Sequence, residues 1–322
     1  MQKIISFLQA SHIHYEENID LKKKTWIHRG GICSLFISPA DAIQLESVCR
    51  YLYLNKKEFI TIGHTSNLYF LNTSRPAIIV STAKCKKYEM SETYIKCEAG
   101  VGVIRLARDM VNNGVKGFEY LTGLPGTIGA ALINNSSCNS NSISDLLIEA
   151  VVLKQDGAKV ILMPNDFKFC FRSSVFKRKE IEGVILSVTL KRQNANKKEL
   201  LEIANFNDKD REKRLGGHSK NLGCTVNQTF SLGRMKLQYY IPMLAIRLLC
   251  RCLCFENLKT NQLLNNVLCK LSNCREAAPY ISKYNPIVFL WNDDGADEAF
   301  PIYLAFMEKV YRTNKLEIQI IQ

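Results

Sequence analysis

Apolar residues recur along this chain at two periods, and the points where one period gives way to the other mark its elements. Ser38-Pro39-Ala40-Asp41 reads as a helix start, with Ser as cap, Pro in the first turn and Asp at the positive end. Ala42, Leu45, Val48, Cys49 and Leu52 then repeat at helical spacing. Short apolar runs at Phe59–Ile62, Ala77–Ser81 and Tyr94–Cys97 predict strands. Val103, Leu106, Ala107, Met110 and Val111 predict a second amphipathic helix, closed by Gly114. Leu147–Lys154, a Gln-Asp-Gly turn and Lys159–Met163 form a hairpin pattern, and Val184–Leu190 a further strand. Lys197–Arg214 is densely charged and predicts a surface helix leading into another domain. The N-terminal MQKIISFLQASHIHYEE reads as a helix or arm rather than a cleaved leader. Strands mixed with helices in this order predict an α+β protein, with no internal repeat.

One stretch does not belong to either period. Tyr120–Asp145 holds Gly123, Gly126 and Gly129 around Pro125, with no charged side chain between Tyr120 and Ser144. Small residues at this density bury little apolar area, and glycine costs backbone entropy. They suit a place where the backbone comes close to a ligand and offers it N–H groups, as around a diphosphate. A tight turn between strands would use similar residues, so the stretch alone does not decide. Gly100-Val101-Gly102 lacks the third glycine of a dinucleotide-binding Rossmann turn, and there is no P-loop.

Composition narrows the classes. At 322 residues the chain can form two or three domains. Its most apolar run, Tyr239–Cys254, is broken by Arg247 and Arg251, which predicts no membrane insertion. With no targeting signal evident, the expected location is the cytoplasm. The net charge of +13 is carried by short clusters at Lys22–Lys24, Lys84–Lys87 and Lys177–Lys179. Without interleaved aromatics or a nucleic-acid motif these read as solvated faces, not as a nucleic-acid surface. Cys250, Cys252 and Cys254 form CxCxC in an apolar segment, and His12 and His14 stand apart. That spacing predicts reduced, buried cysteines and no metal site.

Several blocks together resemble one family. GFEYLTGLPGTIGAALINN, followed by Asp145, is similar to the "G-x-E-x-L-x-G-I-P-G-T-x-G-G-A…N…D" block of the UDP-N-acetylenolpyruvoylglucosamine reductase (UDP-N-acetylmuramate dehydrogenase) family. KTWIHRGG at 24–31 resembles its "N-T-[WF]-x-x-G-G", TIGHTSNL at 61–68 its "G-x-G-S-N-L" flavin turn, and FCFRSSVF at 169–176 its "F-x-Y-R-x-S-x-F". LGCT at 222–225 is similar to "G-G-S-T-F" and LEIQII to "L-E-x-E-[IV]". The blocks keep the family's order over roughly residues 20–230 and 285–322.

The resemblance implies an N-terminal arm (1–22) and a two-lobed FAD-binding domain of the vanillyl-alcohol-oxidase (PCMH) type at 23–193, with lobes at about 23–85 and 86–193. A C-terminal α+β substrate domain would follow at 194–322. It implies non-covalent FAD on Gly63, His64, Thr65, Ser66, Asn67, Gly123, Pro125, Gly126, Thr127, Gly129, Ala130 and Asn135, with His64 the one candidate for a covalent link to exclude. NADPH would reduce the flavin, and a UDP-sugar enolpyruvyl ether would be the substrate. Charge collecting on the substrate carboxylate needs a cation, and the carbon beside it needs a proton donor. Carried over, the family's Arg is Arg172, its Ser position is Cys224 and its Glu position is Gln319.

The departures bear on turnover. Cys224 can donate a proton, its ordinary pKa being ~8.5, whereas the amide of Gln319 cannot act as an acid. Phe171 stands for a Tyr, Thr65 and Ala130 for glycines, and Ser136-Ser137 for Ala-Gly. Val226-Asn227-Gln228-Thr229 stands for "F-x-N-P", and the block "G-L-x-G…G-G-A-x-[VM]-S-x-H" has no counterpart at 233–285. A working or impaired reductase and a non-catalytic flavin- or nucleotide-binding relative both remain open, with another oxidase of the same fold a distant third. On this reading Gln319→Glu should speed a slow substrate half-reaction.

Overall fold

The computed structural model describes residues 1–139, 141–215, 220–226 and 235–322. Its helices are α1 (Gln2–Ala10), α2 (Ala42–Leu54), α3 (Val103–Asn112), α4 (Ile128–Ile133), α5 (Lys197–Leu215), α6 (Leu237–Cys252), α7 (Asn257–Leu271) and α8 (Ala296–Tyr311).

The first lobe is a four-stranded sheet in the order His14–Asp20, Ile32–Ser38, Ile78–Ser81, Ile60–Ile62. The outer pair is antiparallel and the other contacts are parallel. Ile78–Ser81 is buried along its whole length, which is why it reads as an unbroken apolar run rather than an alternating one. α1 contributes Ile4 and Leu8, and α2 contributes Leu45, Val48 and Leu52, to a core that also takes Leu153 and Leu186 from the second sheet. The α2 start differs in detail from its sequence signal. The cap is Asp41, whose extended backbone lets its carboxylate accept from Gln44 N at 3.0 Å, so Ser38 and Pro39 lie ahead of the helix. That hydrogen bond, together with Lys87, holds the Asp41 carboxyl below its usual range.

The second lobe is an antiparallel sheet ordered Lys159–Leu162, Leu147–Lys154, Gly183–Lys191, Tyr94–Glu98, Tyr88–Met90. α3 and α4 close one face of it. Val103, Leu106, Ala107 and Met110 fill the core with Ile95, Val152 and Val188. Leu200 and Ala204 of α5 lie in this same core. The expected division at 193/194 therefore does not coincide with a packing boundary: the first half of the charged helix belongs to the second lobe.

The C-terminal part is mainly helical. Phe289 and Trp291 pack with Phe300 and Tyr303 of α8 as an aromatic cluster, and Tyr69 of the first lobe enters it 4.2 Å from the Trp291 ring. Gln319–Ile321, the one strand after α5 among the described residues, pairs in parallel with Leu68–Phe70. The chain end thus returns to the first glycine turn. Cys85 and Cys97 are buried with thiols pushed up to about 12, so they stay protonated and act as small apolar groups. In CxCxC only Cys250 is buried. Cys252 is exposed because residues two apart on a helix do not share a face, and Cys254 is exposed beyond the helix end, at φ +55.

Candidate functional site

The two small-residue turns meet. Strand Ile60–Ile62 runs into Gly63, and a Cβ built there would lie 2.3 Å from Thr127 Oγ1, so the turns approach this closely only with glycine. Ser66 Oγ donates to Pro125 O at 3.0 Å. Gly126 adopts φ +125, a conformation open to glycine, and is fixed by Val103 N donating to its carbonyl. Thr65 adopts φ +56 at the family's glycine position. It is buried and its Oγ1 accepts from Trp26 N at 2.8 Å, a bond glycine could not make, which offsets the strain. Burial lowers the His64 imidazole pKa, against a bond to the Gly126 backbone, so the ring favours its neutral form.

Not every glycine here faces open space. A Cβ on Gly129 would meet Ala99 Cβ at 2.9 Å, so this residue serves the packing of α4 on its strand. One on Gly123 would meet Arg211 Cδ and Asp208 Oδ1, each at 2.9 Å, so α5 occupies that side of the loop. Thr122 Oγ1 donates to Asp208 Oδ1 at 2.8 Å along the same contact.

The remaining groups suit a polyanionic ligand with a hydrogen-bonding ring. The backbone N–H groups of His64 to Asn67 donate to no acceptor among the described residues. Thr127 Oγ1 and Asn135 Oδ1 are buried without a partner, while Asn135 Nδ2 donates to Cys170 O at 3.1 Å. Ala130 lies in the first turn of α4, beside these groups.

Arg172 stands at the tip of a tight turn closed by reciprocal bonds between Cys170 and Ser173. Its φ of +55 is a strained value for a side-chain-bearing residue. Ser174 Oγ anchors the turn by donating to Ile133 O at 2.6 Å. Arg172 Nε lies 3.1 Å from Glu317 Oε1, without an N–H aligned along that line. Phe171 is largely exposed beside it, its ring centroid 6.0 Å from the guanidinium carbon. Burial raises the pKa of Glu317, opposed by Arg172 and Lys177. Lys177 Nζ donates to Glu317 O at 3.3 Å, and burial pushes that ammonium down.

Glu317 joins the other segments. Its N–H donates to Thr225 O at 2.9 Å, next to Cys224, and its carbonyl accepts from Asn67 Nδ2 at 3.2 Å. Cys224 is half-buried and, with Cys138 and Arg172, is an electrostatic neighbour of Arg211, whose guanidinium is pushed down by burial.

The structure thus brings Arg172, the Cys224 segment and both turns together, but not the Gln319 side chain. Gln319 is exposed, and its N–H donates to Asn67 O in the strand pairing. The carboxylate at Arg172 is Glu317, two residues earlier and so roughly 7 Å back along an extended chain. In LEIQII the side chain that faces Arg172 is that of Glu317 rather than that of Gln319. Sequence reading also placed Lys177 and Arg211 on solvated faces, since charge density alone does not show which cation turns inward.

Residues 33–162 match the family model of an FAD binding domain. UDP-N-acetylenolpyruvoylglucosamine reductase of Caldicellulosiruptor saccharolyticus is 27% identical over 209 residues, 64% of this chain and 67% of that one. The enzyme of the same name from Listeria monocytogenes is 29% identical over 55% of this chain and 59% of its own. Over that stretch the chain is similar to these reductases. The matched stretch spans between about half and two-thirds of the curated relatives' length. The likeness in fold extends further. The crystal structure of the Thermus caldophilus UDP-N-acetylenolpyruvylglucosamine reductase superposes with a TM-score of 0.68 over 96% of this chain and 99% of its own, at 17% identity. The architecture is α+β, a two-lobed FAD-binding domain followed by a C-terminal domain, and FAD is the cofactor it is built for.

Proposed function

We propose that this chain is a flavin-dependent oxidoreductase that reduces the enolpyruvyl double bond of UDP-N-acetylglucosamine enolpyruvate, with NADPH as the hydride donor, in peptidoglycan precursor synthesis. The observation that carries the reading is the Arg172–Glu317 pair, 3.1 Å apart and mostly buried, beside the Cys224 segment and the joined glycine turns. A carboxyl whose pKa is raised by burial suits acid chemistry near neutrality.

The backbone of His64–Asn67, with Thr127 and Asn135, would hold FAD, which supplies the two-electron couple between NADPH and the substrate. Arg172 offsets the negative charge that collects on the substrate carboxylate, and its planar fork matches that group. Glu317 keeps Arg172 oriented and, when protonated, donates a hydrogen bond to the same charge. Cys224 gives its proton to the adjacent carbon and regains one from solvent, completing net addition of two hydrogens. An acid is therefore present in this cleft, and the expectation of slow turnover drawn from Gln319 loses its basis.

The test is anaerobic. Protein carrying flavin is yellow, NADPH bleaches it, and the enolpyruvyl substrate restores the colour. Glu317→Gln should slow that recovery about a hundredfold with bleaching unchanged. Flavin that binds but is neither bleached nor reoxidised would make the chain a binding relative without turnover.

A further inference from the structure

The segment with no counterpart in the family blocks builds an unusual helix. α6 turns Tyr239, Met243 and Cys250 into the C-terminal core. A helix with one buried face ordinarily turns polar residues outward. Here Leu237, Ile241, Leu244 and Leu248 are instead exposed at spacings of four, three and four, and Leu249 and Leu253 widen the stripe. Leu237 is 71% exposed and Leu248 65%, values of free surface rather than partial burial. A helix apolar on both faces is built to be covered on both.

Charge selects the cover. Lys236 at the N-cap, Arg247 and Arg251 are exposed, and no Asp or Glu occurs from Lys236 to Phe255. Beside the N-cap, Lys236, Lys309 and Arg312 line a hollow of about 560 Å³ with Glu308 and Asn314, adding cations at the same end. A second copy packed symmetrically on the stripe would bring Arg247 and Arg251 near their own images, with no acid in the segment to pair them. An anionic lipid surface meets both features, taking the leucines into the acyl boundary and the arginines at the headgroups.

We infer that α6 is an interfacial helix that docks this protein on anionic membranes. The helix lies on the bilayer and does not cross it, since no helix among the described residues is long and apolar enough to do so. The sequence-based expectation of no membrane insertion is modified to this extent. The inference is independent of the proposed reaction.

Flotation of the full chain with lipid vesicles tests it. Vesicles of phosphatidylcholine with phosphatidylglycerol should carry the protein upward at low salt, less so at high salt, and pure phosphatidylcholine should carry little. Ile241→Asp and Leu248→Asp should each weaken binding about tenfold or more, and Arg251→Gln about fivefold. These side chains are exposed, so the circular dichroism and melting temperature of each variant should match the parent. Absence of flotation, equal flotation with neutral vesicles, or a dimer that Leu248→Asp converts to monomer would each overturn the inference.

Discussion

Two acidic-position residues in one short segment carry opposite expectations. Glu317 is held by Arg172, Lys177, Asn67 and Thr225, whereas Gln319 offers the strand its backbone and solvent its side chain. Gln319→Glu is therefore expected to leave the reoxidation of reduced flavin by substrate unchanged, while Glu317→Gln slows it. Glu317 also shapes the pH dependence of stability. Burial raises its folded pKa above the unfolded value, so the native state holds this proton where the unfolded state has lost it. Its contribution is most favourable below the unfolded pKa and is lost as pH rises through the folded one. The melting-temperature difference between the parent and Glu317→Gln should shift in the variant's favour as pH rises across that window. Thr65 gives a second residue-scale test. Thr65→Val keeps the volume but leaves the Trp26 N–H without its acceptor, and denaturant unfolding should show a loss of about 1–2 kcal/mol.

At the scale of elements, the site depends on two turns held in contact. Gly63→Ala places a methyl where Thr127 Oγ1 already lies, and either the turns part or the strand end shifts. Stability should fall by about 1–3 kcal/mol, and flavin should be lost on dialysis, read as the ratio of flavin to protein absorbance. The cap of α2 is separable from this. Asp41→Ala should cost about 1 kcal/mol with flavin content unchanged, because the Asp41 carboxylate bonds Gln44 and Lys87 rather than either glycine turn. The elements themselves were legible because their signals are local. Ala42–Leu54, Val103–Asn112 and the hairpin from Leu147 to Leu162 fall where apolar spacing put them. The cap was misread for a related reason: Ser38 and Asp41 both fit the pattern, and only the backbone angle at Asp41 separates them.

The whole molecule closes on itself through its last residues. Tyr69 packs on Trp291, and Gln319–Ile321 pairs with Leu68–Phe70, so the first lobe and the C-terminal part share one aromatic core. Trp291→Ala should cost about 3–5 kcal/mol. Melting followed by flavin release and by ellipticity should then coincide, as expected of one cooperative unit. What the sequence determined by itself was whatever neighbouring residues settle among themselves: the alternation of helix and strand, the two uncharged turns, and the block order that pointed to FAD and to Arg172. The tertiary structure decided which charges turn inward. Lys177, Arg211 and Glu317 look like surface residues in sequence, and each is drawn partly out of solvent by a segment far along the chain. Burial and ion pairing are set by contacts between residues such as Arg172 and Glu317, and no local pattern encodes a partner at that distance.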